Sequence, residues 1–305
     1  MSCEYKHVVV TGASSGIGRA TALQLAADGW HVYAGVRRTE DGESLRADAG
    51  PASSTAITPL MLDITKGDQI TAAVDTVAEH VGAAGLDGLV DNAGIGVAWP
   101  MELLPLDDLR RQFEVNVIGQ VAVTQGFLPL LRRAVGRIVV ISSIGDLVTP
   151  PFGGPLAASK SAVRSLADGF RQELAPWGIR VVIIKPASIH TDGVDKLESD
   201  AAKVTSQFSA EGAALYRDAY TSMISAALAN ERRGSAPSVV AAVVAKALTK
   251  RRPRGTYLVG KDALVLAGLA RLLPTPAFDA VRRKVFQLPP PRSQMSETAH
   301  TKVGR

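Results

Sequence analysis

The chain has 305 residues, of which 46% are hydrophobic and 21% charged, enough to bury a large core in an ordinary globular protein. Its net charge of +5 and its 5% aromatic content lack the basic, ring-bearing face that nucleic acid requires, so no nucleic-acid partner is expected. A lone cysteine, Cys3, precludes an intramolecular disulfide, and five scattered histidines show no metal-ligand spacing.

The N-terminal "MSCEYKHVVV" enters a strand almost at once, so no signal peptide is expected. No run reaches the roughly 18 apolar residues of a membrane span. Together with the cysteine content this gives the expectation of a cytoplasmic protein. His7 to Thr11 reads as a buried strand, followed by a glycine turn and the helix "RATALQLAADG". His31 to Val36 is a second strand, and Ile57 to Asp63 a third, followed by the amphipathic "DQITAAVDTVAEHVG". Leu86 to Gly94 is a fourth, Gly136 to Ser143 a fifth, Ile179 to Pro186 a sixth and Gly255 to Gly260 a short seventh. Helical patterns fill Leu106 to about Ala134 and Pro155 to Leu174. Continuous apolar strands alternating with helices predict a parallel sheet covered on both faces, an α/β doubly wound Rossmann fold in a single domain over residues 1–288. Within it, residues 190–233 form a strandless insertion expected to carry the substrate loop as helices. The segment "ALVLAGLARLLP" is read as a core or oligomer-interface helix, with contact to a membrane surface as the minority reading. The basic runs "TKRRPRG" and "VRRK" are read as solvated surface charge, and the Pro-rich tail from Pro289 as disordered.

Chemistry first appears at the glycine turn. "VVVTGASSGIGRA" places Gly12, Gly16 and Gly18, with Ser14, Ser15 and Ile17 between them, where a strand meets a helix. Glycines there let backbone N–H groups approach a pyrophosphate at the helix N-terminus. The second strand ends in Val36, Arg37 and Arg38 with no acidic residue to accept from a ribose 2′-hydroxyl. Arg37 suits a 2′-phosphate, so NADP is favoured over NAD. Asp63 either accepts from an adenine amino group or caps the following helix. Asn92, in "DNAGIG", sits in a second glycine turn where backbone can pack against a ribose.

These motifs, with "NVIG", "VISS", "ASK" and "PASIHT", resemble the short-chain dehydrogenases/reductases across roughly Lys6 to Gly260. "VTQGFLPLLRRAVGRIVVISS" and "RRPRGTYLVG" are most similar to the retinol/steroid/3-hydroxybutyrate dehydrogenase branch. The resemblance implies hydride transfer between NADP(H) and a hydroxyl or keto group of an apolar or lipid-like substrate. It implies that Ser143 holds the substrate oxygen, that Lys160 contacts the nicotinamide ribose, and that Asn116 holds a water on a proton path. Pro186, Ile189 and Thr191 complete the implied cofactor set, with Thr191 against the carboxamide. It also implies a homodimer or homotetramer built on the helices that carry Asn116 and Lys160.

Three departures stand out. Ala187 replaces a usual glycine and Asp91 a usual asparagine. The third is chemical: Leu156, 13 residues after Ser143 and four before Lys160, stands where the resemblance implies the family's tyrosine. A leucine has no proton to give, and a positioned acid or base is worth roughly 10² to 10⁴ in rate. Three accounts stay open. Another donor (Ser143, a water held by Lys160, or His190) sustains redox turnover; or the domain binds NADP as a scaffold or sensor; or the pocket runs a non-redox isomerisation or cyclisation. No Ser–His–Asp or Cys–His arrangement supports a hydrolase.

Overall fold

The computed structural model describes residues 5–191 and 193–288. The sequence expectation for the tail from Pro289 lies outside the described residues. Seven strands, β1 (Lys6–Val10), β2 (Trp30–Val36), β3 (Ile57–Met61), β4 (Gly88–Asp91), β5 (Arg137–Ile141), β6 (Arg180–Pro186) and β7 (Thr256–Val259), form one sheet. Its order is β3-β2-β1-β4-β5-β6-β7, with every neighbouring pair parallel. The chain winds outward one way from β1 to β3 and the other way from β4 to β7. This leaves a crevice at the carboxyl ends of β1 and β4. The expected fold is the observed one.

Strand alternation divides the core into two layers. Val9, Leu89, Ile138, Val140 and Ile183 point to one face, and Val8, Val10, Val90, Val139 and Ile184 to the other. The first face is covered by α4 (Gly67–Val81), α6 (Gln120–Ala134) and α7 (Gly154–Glu173), through Val77, Phe127, Leu131 and Val163. The second is covered by α1 (Gly16–Ala27) and α10 (Pro237–Thr249), through Leu25, Val240 and Val244. Helices α2 (Thr39–Asp48) and α3 (Gly50–Ser53) follow β2, and α5 (Leu106–Phe113) precedes α6. The insertion forms α8 (Gly193–Ser206) and α9 (Ala210–Arg232), which share a smaller apolar cluster around Tyr220, Met223 and Leu228. After β7 come α11 (Ala263–Leu272) and α12 (Thr275–Val285).

The structure departs from the sequence reading at several strand ends and within one helix. The fourth strand stops at Asp91 rather than Gly94, because Thr11 Oγ1 accepts the N–H groups of Asn92 (2.9 Å) and Ala93 (3.0 Å) in place of a ladder. The expected continuous helix from Leu106 to Ala134 is broken by a π-helical turn over Glu114–Gly119. There the backbone passes so close to the loop after β3 that a Cβ on Gly119 would lie 2.8 Å from the Ile64 carbonyl oxygen. Asn116 is on this turn, with its side chain directed into the protein rather than spaced as on a regular helix.

Leu89 is fully buried at the centre of the sheet. Leu89→Ala is expected to cost about 2–5 kcal/mol, through lost transfer free energy and an unfilled cavity. Urea unfolding should show a lower midpoint with an unchanged slope.

Candidate active site

The crevice is the start of a cavity of about 1330 Å³ that runs from Arg37 and Asp63 past Gly12, Ser14 and Ser15 to Ser143, Leu156 and Thr191. It continues between the helices that follow β6 and β7, against Met223, Ile224, Leu269, Phe278 and Phe286. One end is therefore set by a few polar groups, and the other is a mostly apolar chamber whose wall also includes Asp200, Asn230, Glu231, Asp262 and Arg282.

At the polar end, α1 begins hard against β1. A Cβ on Gly18 would lie 2.2 Å from the Gly12 carbonyl oxygen and 2.4 Å from Asn92 Nδ2. Asn92 Nδ2 donates to the carbonyl oxygens of Thr11 (2.9 Å) and Gly12 (3.1 Å), which explains its place behind the turn rather than in the cavity wall. Ser15 is the N-cap of α1, and its side chain makes no capping bond. The first-turn N–H groups are thus left to an anion, the environment a pyrophosphate needs. Gly16 meets Thr191, whose Cβ would stand 3.3 Å from an added Gly16 Cβ, so the loop after β6 closes over the turn. Ile17 packs into the core under α1.

Arg37 is exposed at the cavity's end, while Arg38 is turned away and paired with Asp41 at 2.6 Å. Asp63 lines the same end, and its Oδ1 accepts from Thr65 N (3.0 Å) and Thr65 Oγ1 (2.7 Å) in a turn before α4, whose N-cap is Lys66, so it does not cap that helix. Burial pushes its carboxyl up, but the Thr65 bonds and the charges of Arg37 and Lys66 outweigh that and hold it below its ordinary value. A charged carboxylate therefore faces the cavity, free of the helix-capping role.

At the reacting end, Leu156 on the first turn of α7 and Ser143 after β5 both line the cavity. Ser143 Oγ accepts from Gly145 N at 3.0 Å, which fixes its rotamer. Lys160 and Asn116 stand one layer behind. Lys160 Nζ donates to the Ile141 carbonyl oxygen at 2.9 Å, and would lie 3.7 Å from a Cβ on Gly94. A Cβ on Gly96 would lie 3.8 Å from Leu156 Cδ2, so Leu156 and Lys160 flank the same Gly94–Gly96 segment. Burial lowers the Lys160 ammonium to about 8, with Asp146 opposing the shift. Asn116 is fully buried and grips Ile95 with both ends of its amide: Oδ1 accepts from Ile95 N (2.8 Å) and Nδ2 donates to Ile95 O (2.9 Å).

Pro186 is buried at the end of β6, and Ile189 packs into the sheet core, so neither side chain forms cavity wall. Ala187 does line it, and is not among the described non-glycine residues with positive φ, so the missing glycine costs no backbone strain. His190 is exposed and outside the wall. The sequence reading missed Glu231. This carboxyl lines the cavity at the end of α9 and is pushed upward by burial. Its segment carries no motif, and only the fold brings it there.

A parallel doubly wound sheet with this turn, cavity and lysine defines a nicotinamide-dinucleotide oxidoreductase. Residues 6–202 match the short chain dehydrogenase family, and the chain belongs to it. It is 34% identical over 289 residues to the short-chain dehydrogenase/reductase family 9C member 7 of Homo sapiens, covering 93% of this chain and 91% of that one. It is 35% identical over 283 residues to retinol dehydrogenase 7 of Rattus norvegicus, covering 90% and 87%. A short chain dehydrogenase from Burkholderia cenocepacia J2315, solved in complex with NADP, superposes with a TM-score of 0.67 at 26% identity, covering 92% of this chain and 99% of that one. The cofactor is thus NAD(P), and the residues present fit it.

Asp91 ends β4 beneath this site. Its Oδ2 accepts from Thr124 Oγ1 at 2.7 Å, and its Oδ1 has no hydrogen-bond partner among the described residues. Burial raises its carboxyl from 3.8 to about 7, with the Thr124 bond only partly opposing. Below the unfolded value both states are protonated and the contribution to stability is complete. As pH rises toward the folded value the unfolded chain ionises first, and stability falls by at most about 1.4 kcal/mol per pH unit. Asp91→Asn should remove this slope. Urea midpoints at about pH 4.5 and about pH 8 should then differ less in the variant than in the parent.

Proposed function

We propose that the protein is an NADPH-dependent oxidoreductase that interconverts a hydroxyl and a keto group on an apolar, retinol- or steroid-like molecule. We further propose that Leu156 occupies the family's tyrosine position, which makes the proton step atypical. The observation that carries this reading is the single cavity in which Arg37, Ser143, Leu156 and a hydrocarbon chamber are all wall. The similarity to a retinol dehydrogenase supports the substrate class.

When bound, the cofactor supplies a hydride to a carbonyl carbon or takes one from a carbinol carbon. Every other part falls to the chain. The Ser143 hydroxyl, fixed by Gly145 N–H, holds the substrate oxygen. The Lys160 ammonium, lowered to about 8, sits behind Gly94 and favours negative charge developing on that oxygen. Leu156 contributes neither donor nor acceptor, so the proton passes through Ser143 or through water within reach of Lys160. At the far end, Arg37 meets the 2′-phosphate, and no carboxylate at Val36 repels it. A second reading, NADP binding without redox turnover or with non-redox chemistry, draws on Leu156 alone. We also propose a cytoplasmic homo-oligomer, assembled through α6 and α7, whose outward face includes exposed Leu166 beside the exposed Ile118 of the π-helical turn.

Fluorescence titration is expected to show tighter binding of NADPH than NADH. Arg37→Ala should weaken NADPH by about tenfold while sparing NADH, the loss of roughly one charge-assisted hydrogen bond. Equal affinities in the parent would remove the NADP assignment.

Carbonyl reduction by Leu156→Tyr should exceed the parent by at least about tenfold, the lower end of general-acid effects. If a carbonyl compound binds and neither protein oxidises NADPH, the non-redox reading replaces this one.

A further inference from the structure

The helix over "ALVLAGLARL" does not behave as a core helix. Only Ala263 is fully enclosed, while Leu264, Val265 and Leu272 are 74%, 63% and 82% exposed. An added Cβ on Gly268 would meet nothing within 4 Å, so the face formed by Leu264, Gly268 and Leu272 is open along its length. On α12, Val285 is 50% exposed. Val265 and Val285 are also wall residues of the cavity, together with Leu266 and Leu269. The hydrocarbon chamber and this outer apolar patch are therefore one continuous surface, inside and outside the mouth.

Charge sets the partner. From Lys261 to Val285 there are five cations, Lys261, Arg271, Arg282, Arg283 and Lys284, against Asp262 and Asp279, a net of +3. Arg282 is already committed to Asp279 and to the Thr149 carbonyl oxygen, which ties α12 to the loop after β5. Lys261, Arg271 and Lys284 are exposed beside the apolar face. A second copy laid on the patch would bring the same positive rim against itself, which costs energy. An anionic lipid surface complements both the hydrocarbon and the rim.

We propose that α11 and the end of α12 dock the protein on anionic membrane surfaces, with α11 lying in the interface plane. Leu264 and Leu272 enter the acyl boundary, and Lys261, Arg271 and Lys284 meet phosphate. The cavity mouth then opens against lipid, and an apolar substrate enters without crossing water. This last purpose rests on the apolar-substrate reading above; the docking itself does not. No helix among the described residues is long and apolar enough to cross the bilayer, so the contact is peripheral.

The full-length protein is tested by co-sedimentation with phosphatidylcholine vesicles, neutral or with about one third phosphatidylglycerol. Binding should favour the anionic vesicles by about tenfold or more and fall as salt is raised. The Leu264→Asp/Leu272→Asp pair should lose about tenfold or more while binding NADPH like the parent, which certifies its fold. Arg271→Glu/Lys284→Glu should abolish the preference for anionic lipid. Equal sedimentation by parent and variants, or none by the parent, overturns the proposal. So does a parent dimer that Leu264→Asp dissociates in solution without any vesicle binding. Vesicle binding by a protein that turns over no carbonyl compound would leave the docking standing and remove the redox reading instead.

Discussion

The position of every group in the site follows from how deeply the first turn of α1 sinks against the carboxyl ends of β1 and β4. Gly18 has only a hydrogen where any side chain would strike the Gly12 carbonyl, and Asn92 fills the gap with two hydrogen bonds to the Thr11 and Gly12 carbonyls. Thr11 answers with its hydroxyl, taking two N–H groups from the chain leaving β4. Backbone groups that would be orphans at a strand end are thereby paired across three segments. The Gly94–Gly96 loop then leaves in a fixed direction, and Asn116 clamps it at Ile95. The start of α7, with Leu156 and Lys160, packs against that loop. An error of an ångström at Gly18 would propagate along this whole chain of contacts.

The strands and the cofactor turn were legible in the sequence because their physics is local. A buried parallel strand has no choice but a short apolar run, and a pyrophosphate turn has no choice but glycine. The seven strands lie where those runs lie, differing only at their ends, as after β4, where Thr11 Oγ1 takes the N–H groups. The π-helical turn was not legible, since its cause, the approach of Gly119 to Ile64, joins residues far apart in the chain. Glu231 and the chamber walls were illegible for a related reason. Met223, Ile224 and Phe278 are residues any core uses, and only the packing of α9 and α12 around an empty volume makes them a site. Asp63 was balanced between two roles in the sequence, and the structure removes the helix cap, since its carboxylate bonds Thr65 in the turn before α4 and lines the cavity.

The buried polar groups around Leu156 are held by backbone. Lys160 has the Ile141 carbonyl, and Asn116 has both sides of Ile95. The Lys160 ammonium also feels Asp146, whose carboxylate is bound at 2.7 Å by the nearly buried Lys185. Burying these charges is costly, and only mutual pairing makes it tolerable. Asp146 closes the turn that Ser143 caps, so the Lys185 bond ties that turn to β6. Structural support thus comes from behind the cavity wall and does not depend on the side chain at Leu156.

The two ends of the cavity select by opposite means. The cofactor end presents a few polar groups, namely the uncapped first turn of α1, the exposed Arg37 and the Asp63 carboxylate, which favour a ligand able to pair with them. The chamber end is mostly hydrocarbon, where discrimination per methylene is weak, with the Glu231 carboxyl among its polar wall groups. If its ligands are apolar as proposed, they are met where such molecules are concentrated. Val265 and Val285, each exposed and also cavity wall, carry apolar surface across the rim beside the polar wall residues Asp262 and Arg282. Exposed hydrocarbon of this extent costs solubility in water, and the surrounding positive charge offsets that cost while it selects which surface the mouth can meet.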